Sequence, residues 1–197
     1  MAPRAGGIVL AGGLSRRMGA HKSGVLLHGK SLLAHVVDRI SPQVKKIAIS
    51  RAHNELAQFA DSIPHLDDGD FPGQGPLAGI LAGLKWARQS GLDALLCVPV
   101  DTPFLPGDLA KQLRKKEAAI VVAASNSRIH PTVSLWSVDR ASILETHLRQ
   151  TNDRSVRTFL HTQNYEVCEY PSPSSGVDPF FNINTPDDLE KAHIYAR

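Results

Sequence analysis

Ile8-Val9-Leu10-Ala11-Gly12-Gly13-Leu14-Ser15-Arg16-Arg17-Met18-Gly19, with Lys22 shortly after, is the stretch whose reading decides the fold. An apolar run leads straight into a glycine-rich turn crowded with cations. Glycines at a strand end let the backbone turn sharply and approach a bulky anion closely. Their N–H groups can cradle phosphate oxygens, and Arg17 and Lys22 bring positive charge to the same place. The plainer alternative is a tight strand-to-helix turn with two solvated basic residues, because short motifs recur by chance.

The next segment holds a decoy. Gly24-Val25-Leu26-Leu27-His28-Gly29-Lys30-Ser31 fits the pattern G-x-x-x-x-G-K-[ST] of a phosphate-binding loop. Such a loop should follow a buried strand and be small enough to wrap phosphates. Here Gly19 to Ser23 are no strand, and the variable positions are mostly large and apolar. The stretch reads instead as an extended segment at Val25 to Leu27, a turn at Gly29 and a helix N-cap at Ser31.

Working outward, short apolar runs alternate with helical periodicities, the pattern of a mainly parallel sheet with helices on its faces. Helical spacing joins Leu32, Leu33, Val36, Val37 and Ile40. Val44 to Ile49 alternates as a second strand. Gly75-Pro76 starts a helix carrying Leu77, Ile80, Leu81 and Leu84. Leu95 to Val100 reads as a central strand ending at Asp101. A short helix (Leu109, Leu113), strands at Ile120 to Ala123 and Thr132 to Trp136, and a helix with Ile143, Leu144 and Leu148 follow. A further strand lies near Tyr165 to Cys168, and Tyr170 to Pro179, rich in Pro and Ser, marks an insertion or mobile region. Phe180 to Asn184 is expected as a short strand. Thr185-Pro186-Asp187-Asp188 opens the last helix, with Thr185 as N-cap, Pro186 in the first turn and Asp188 completing a capping-box variant.

At 197 residues, the chain has room for one well-buried α/β domain, here taken as 1–197, and is short for two. The formal net charge of +3 suits anionic ligands but is too small to imply nucleic acid. Lys45-Lys46 and Arg114-Lys115-Lys116 read as solvated surface. No run approaches the ~18 apolar residues of a membrane span, and the first residues lack the apolar stretch of a secretory signal. Cys97 and Cys168 form no disulfide or zinc framework, which predicts a reduced, cytoplasmic setting. Cys97, within Leu95 to Val98, reads as a small buried hydrophobe.

Asp101 stands at the carboxyl edge of the central strand, where open α/β sheets bind ligands. It either caps the turn Asp101-Thr102-Pro103 or, beside a triphosphate, holds Mg²⁺, which shares hard oxygen ligands with phosphates. Asp68, in Asp67-Asp68-Gly69-Asp70, either contacts a ribose or base or begins a solvated turn. His130-Pro131-Thr132 and Asn182-Ile183-Asn184 either face a ligand or satisfy turn backbone.

Together these pieces resemble the molybdenum cofactor guanylyltransferase family. They are Leu10 to Gly13, Arg17-Met18-Gly19 with Lys22, Asp68, Gly75-Pro76-Leu77-Ala78-Gly79, Asp101-Thr102-Pro103-Phe104, His130 to Thr132 and Asn182 to Pro186. They occur in the family's order from Ile8 to about Leu189. The resemblance implies a Rossmann-like nucleotidyltransferase fold, three layers α/β/α around a mostly parallel sheet. It implies transfer of GMP from GTP to the phosphate of molybdopterin with release of pyrophosphate. Leu10, Ala11, Gly12 and Gly13 would line the GTP site, Lys22 would contact phosphate, and Asp68 would hold the guanosine. Asp101 would carry Mg²⁺, while Lys22, Arg17 and Asp101 would form the catalytic set. Asn182 and Asn184 correspond to positions near the molybdopterin side, and cofactor-delivery or insertion proteins would be further partners.

Siblings that use CTP tend to carry Ala-Ala-Gly at Ala11-Gly12-Gly13 and to lack the Gly75–Gly79 segment, which favours guanine. Two departures stand out: His21 replaces an Asp common before the lysine, and Ser50, expected at the guanosine, replaces an Asn found after the second strand in many relatives. A phosphate nucleophile is already largely dianionic at neutral pH, its second pKa being near ~6. No Ser-His-Asp device is needed to activate it, and none is recognisable in the sequence.

Overall fold

The computed structural model describes residues 4–12, 24–50, 63–171 and 176–195. In chain order these form β1 (Ala5–Leu10), β2 (Leu26–Leu27), β3 (Lys30–Ser31), α1 (Leu32–Ile40), β4 (Lys46–Ser50), β5 (His65–Leu66), α2 (Pro76–Gln89) and β6 (Ala94–Pro99). The second half contributes α3 (Leu109–Leu113), β7 (Ile120–Ser125), β8 (Arg128–Ser137), α4 (Ala141–Gln150), α5 (Val156–His161), β9 (Glu166–Tyr170) and α6 (Pro186–Tyr195).

A seven-stranded sheet runs in the order β5-β4-β1-β6-β8-β7-β9. All its strands are parallel except β8, which is antiparallel to both β6 and β7. The chain builds β1, β4 and β5 toward one edge and then crosses over to β6 on the other side of β1. That reversal opens a crevice beyond the carboxyl ends of β1 and β6, where doubly wound sheets take ligands.

Two hydrophobic layers cover the sheet. Leu33, Val36 and Ile40 of α1 pack with Leu109 and Leu113 of α3 on the face that receives Val9 and Val98. Ile8, Leu95 and Cys97 meet the opposite layer, formed by Leu77, Ile80 and Leu84 of α2, Leu144 and Leu148 of α4, and Phe159 and Leu160 of α5. Cys97 is fully buried, and that burial pushes its thiol well above the usual range. The expected three-layer α/β/α fold is present.

β1 begins at Ala5, three residues before its apolar run, because Gly6 and Gly7 continue it. A Cβ on Gly6 would lie 2.8 Å from the Trp86 ring, and one on Gly7 3.2 Å from Ile40. The helices press too closely on this central strand for side chains there.

The decoy segment is a two-stranded antiparallel hairpin, β2 with β3, turned by His28 (φ 50°) and Gly29 (φ 78°). Ser31 Oγ accepts the Ala34 N–H at 3.2 Å and caps α1, while Lys30 is paired with Asp38. The segment is a hairpin running into a capped helix, not a loop between a buried strand and a helix.

Two expectations are corrected. Phe180 to Asn184 is not a strand: the segment has no ladder and is held by isolated bonds, one of them from Ile183 N to Asp101 O at 2.9 Å. Tyr170 belongs to β9 and is buried, whereas 172–175 of the adjoining Pro/Ser-rich stretch lie outside the described residues.

The cap of α6 is as expected. Thr185 Oγ1 accepts the Asp188 N–H at 3.2 Å, and Asp188 Oδ2 accepts from the backbone N–H of Thr185 (2.9 Å) and Asn184 (3.0 Å). Desolvation pushes the Asp188 carboxyl up, but these hydrogen bonds together outweigh it and hold it below the ordinary value. The ionised form is therefore favoured by folding, and its contribution is complete above about pH 4 and lost as pH falls further. Asp188→Ala is expected to cost about 1 kcal/mol at neutral pH, read from urea midpoints, and to cost less at pH 3.

Candidate functional site

The carboxyl edge gathers the residues singled out in the sequence. β1 ends at Leu10, whose carbonyl accepts the Val100 N–H at 3.2 Å, while Ala11 N donates to Ser50 O at 3.2 Å. The start of the glycine turn is thus pinned between the ends of β4 and β6. A cavity of about 440 Å³ opens there. Leu10, Ala11 and Gly12 line it from β1, and Ser50 lines it from β4. Asp68 enters from the loop after β5, Asp101 from beyond β6, and Asn182 from the irregular segment before α6. Gly13, Arg17 and Lys22 lie outside the described residues, as does His21. Among the described residues, the lining carries two carboxylates and no Lys or Arg.

Asp101 is half-buried, and its Oδ1 accepts from Asn182 Nδ2 at 2.8 Å. Thr102, fully buried, donates to Pro99 O at 2.9 Å and helps close the turn after β6. Asp101 lines the cavity. Asn184 does not line it, and its backbone N–H serves the cap of α6.

Asp68 sits on a loop with its own anchors. Its Oδ2 accepts the Gly73 N–H at 3.3 Å, and its carbonyl accepts the Phe71 N–H at 3.0 Å. Phe71 is buried with the Arg149 guanidinium over its ring at 5.2 Å, and Arg149 also bonds Asp70 at 2.8 Å. The loop is therefore tied to α4.

The Gly75–Gly79 segment shapes the cavity from above. Gly75 (φ 71°) precedes α2, Pro76 opens it, and both line the cavity. A Cβ on Gly79 would fall 2.3 Å from Ser50 Oγ and 3.1 Å from Leu10 Cδ2. Only glycine lets α2 come this close to the strand ends.

Comparison with known proteins agrees with this geometry. Residues 7–167 match the MobA-like NTP transferase domain. A molybdenum cofactor guanylyltransferase of Acidiphilium cryptum is 43% identical over 94% of this chain and 92% of its own length. One from Cereibacter sphaeroides is 42% identical over 97% and 96%. The crystal structure of molybdopterin-guanine dinucleotide biosynthesis protein A from Archaeoglobus fulgidus superposes with a TM-score of 0.78 at 26% identity, covering 97% of this chain and 98% of that one.

The chain belongs to the molybdenum cofactor guanylyltransferase family.

Membership in the guanylyltransferase family gives the shared cavity its context, because nine of the positions matched to the family's motif lie on one surface. No helix among the described residues is long and apolar enough to cross a membrane. Two things were missed in the sequence. Gly73 lines the cavity, yet nothing in its neighbourhood sets it apart from an ordinary loop glycine. The second is a cluster of buried Ser125 and His130 with half-buried Asp178. Ser125 Oγ donates to Asp178, lying 2.8 and 2.9 Å from its two carboxylate oxygens, and is 2.8 Å from His130 Nε2. With the hydroxyl proton committed to Asp178, His130 Nε2–H is the donor to Ser125 Oγ. The serine stands between the other two, whereas nucleophile activation requires the histidine in the middle. Burial lowers the His130 pKa, with the Asp178 carboxylate opposing. None of the three lines the cavity, so this guanylyltransferase does not use them as a hydrolytic triad.

Proposed function

We propose that this chain transfers GMP from GTP to the terminal phosphate of molybdopterin, giving molybdopterin guanine dinucleotide and pyrophosphate. The observation that carries the reading is the cavity itself: Leu10 to Gly12, Asp68, Asp101 and Asn182 converge on it at the sheet's switch point. Supporting it are relatives above 40% identity, over nearly the whole chain, that bear the name of this activity.

In this reading the backbone of Leu10 to Gly13 cradles the triphosphate, and the amino end of α2, opening on the same cavity, favours its negative charge. Asp68 and Ser50 hold the guanosine. Ser50 is buried against Gly79, which leaves a shorter reach than the Asn of many relatives. Lys22 and Arg17 contact the phosphates.

Among the described residues no three His, Cys, Asp or Glu side chains form a metal cluster. The donor set nevertheless fits Mg²⁺, which is habitually held by one or two carboxylates together with substrate phosphates. Asp101 would hold it, its carboxylate oriented by Asn182. When bound, the ion would screen the meeting of two polyanions and stabilise charge on the departing pyrophosphate.

The chemistry asks little more of the chain. An acceptor phosphate oxygen attacks the α-phosphorus of GTP in line, the bond to the β-phosphate bridging oxygen breaks, and that electron pair leaves with pyrophosphate. The residues supply alignment and electrostatic preorganisation. The test is pyrophosphate release with molybdopterin acceptor, Mg²⁺ and each of the four NTPs. Release with GTP and only background with CTP is expected; a preference for CTP would overturn the guanine assignment.

A further inference from the structure

We infer that the Ser125–His130–Asp178 cluster is a positioning device that holds Asn182 on Asp101 and Thr132 in the cavity. The inference rests on the guanylyltransferase reading for its kinetic consequence, not for its geometry.

Two pieces of irregular backbone meet at the cavity beyond β6. The first is a bulge in β8. Its pairing with β7 passes from Val122–Ser134 to Ala123–His130, so Pro131, Thr132 and Val133 have no opposite residues. Bulges of this kind re-aim side chains beside active sites, and here Thr132 lines the cavity with Asp101 and Asn182. Ser134 Oγ donates to Pro131 O at 3.0 Å and fixes one flank; His130 is the other flank.

The second piece is Asp178 to Ile183, which has neither helix nor ladder to hold it. It is tethered at both ends. Ile183 N and Asn182 Nδ2 bond Asp101 at one end, at 2.9 and 2.8 Å. At the other, Asp178 accepts from Ser125 Oγ, from Asn126 Nδ2 at 3.2 Å and from Phe180 N at 2.8 Å. Its carbonyl also accepts from Phe181 N at 3.0 Å.

Ser125 joins the two pieces, since its hydroxyl accepts from His130 on the bulge flank and donates to Asp178 on the segment. Ser125 is fully buried and His130 nearly so. Phe180, also buried, packs between the His130 ring (4.8 Å) and the Tyr170 ring (5.2 Å) and makes the junction rigid. Losing the Ser125 hydroxyl removes the buried His130 ring's acceptor and uncouples Asp178 from the bulge. Slack at Asp178 would reach Asn182 four residues on, and misplacement by about an ångström can cost up to roughly a hundredfold in rate.

The test is a double-mutant cycle between Asp178→Asn and Asn182→Ala, with turnover counted per folded molecule. Asp178→Asn alone is expected to lower kcat about tenfold while the Kd for GTP stays within about twofold. In the Asn182→Ala background the same change should cost less than about twofold, because the group it positions is gone. Ser125→Ala should reproduce the pattern. Additive losses, or an unchanged kcat in Asp178→Asn, would overturn the inference, since a purely structural residue would lower stability without coupling to Asn182. A second readout needs no turnover: the Asn182 side-chain amide resonances should shift in Asp178→Asn, and unshifted signals would sink the positioning role. Absence of GMP transfer by the wild type would remove the guanylyltransferase reading and leave this measurement to decide the positioning.

Discussion

Asp101→Asn is expected to lower GMP transfer at least about a hundredfold with little change in thermal stability, the scale of removing one preorganised electrostatic group. The replacement is nearly isosteric and retains an acceptor for Asn182 Nδ2, now 2.8 Å from Asp101 Oδ1. The backbone bond from Ile183 N to Asp101 O is untouched, so the segment before α6 should stay in place. What disappears is the negative charge. A neutral amide oxygen is a poor hard ligand beside the anionic oxygens that Mg²⁺ takes. The loss should fall on kcat and on the Mg²⁺ concentration needed for half-maximal rate, with GTP affinity measured without metal almost unchanged. Near-normal turnover at saturating Mg²⁺ would remove Asp101 from the role of metal carrier. Lys22→Ala, by contrast, should weaken GTP binding or turnover at any Mg²⁺ concentration, and unchanged kinetics would take Lys22 off the phosphates.

The second large effect concerns two glycines of α2 that differ in what they touch. At Gly79 a new methyl would meet Ser50 Oγ at 2.3 Å, Ser50 Cβ at 3.0 Å and Leu10 Cδ2 at 3.1 Å. At Gly83 it would meet Ile8 Cδ1 at 2.7 Å and Leu95 Cδ2 at 2.8 Å, deep under the sheet. Alanine improves helix propensity by about 1 kcal/mol, but overpacking a core costs about 1–3 kcal/mol. Steric cost should win at both sites: Ile8 and Leu95 are fully buried beneath Gly83, and at Gly79 Ser50 must shift at its Cβ as well as its Oγ. Each variant should lose on the order of 1–2 kcal/mol, or roughly 2–8 °C in Tm for a domain of this size. The two should part on kinetics. Gly79→Ala displaces Ser50 and Leu10, both on the cavity, and is expected to raise the KM for GTP about tenfold, the scale of 1.4 kcal/mol. Gly83→Ala should leave that KM within about twofold. Equal KM values would mean that the closeness of α2 at Gly79 serves packing alone.

The alternation of apolar runs and helical stripes was enough to read the α/β class, and most strands and helices lie where the periodicity put them. Where it failed, the reason is local. Gly6 and Gly7 carry no apolar side chain, so half of β1 was invisible, although it is the glycines that let Trp86 and Ile40 approach it. Phe180 to Asn184 has the composition of a strand but is spent on single tertiary bonds such as Ile183 N to Asp101 O instead of a ladder. α5 went unread because only Val156, Phe159 and Leu160 mark its buried face.

For the site, residue type and order alone determined the arrival of Leu10 to Gly12 at the sheet's carboxyl edge, the carboxylate after the central strand, the cap at Thr185 and the family. Each rests on short stretches whose backbone chemistry is local. Only the tertiary structure decided that Leu10, Ser50, Asp68, Asp101 and Asn182 share one cavity while Asn184 stands aside. Only it joined Ser125 to Asp178 across 53 positions. Such meetings depend on strand order and on a bulge, both set by how two packed layers close over the sheet. No short stretch of sequence carries that information.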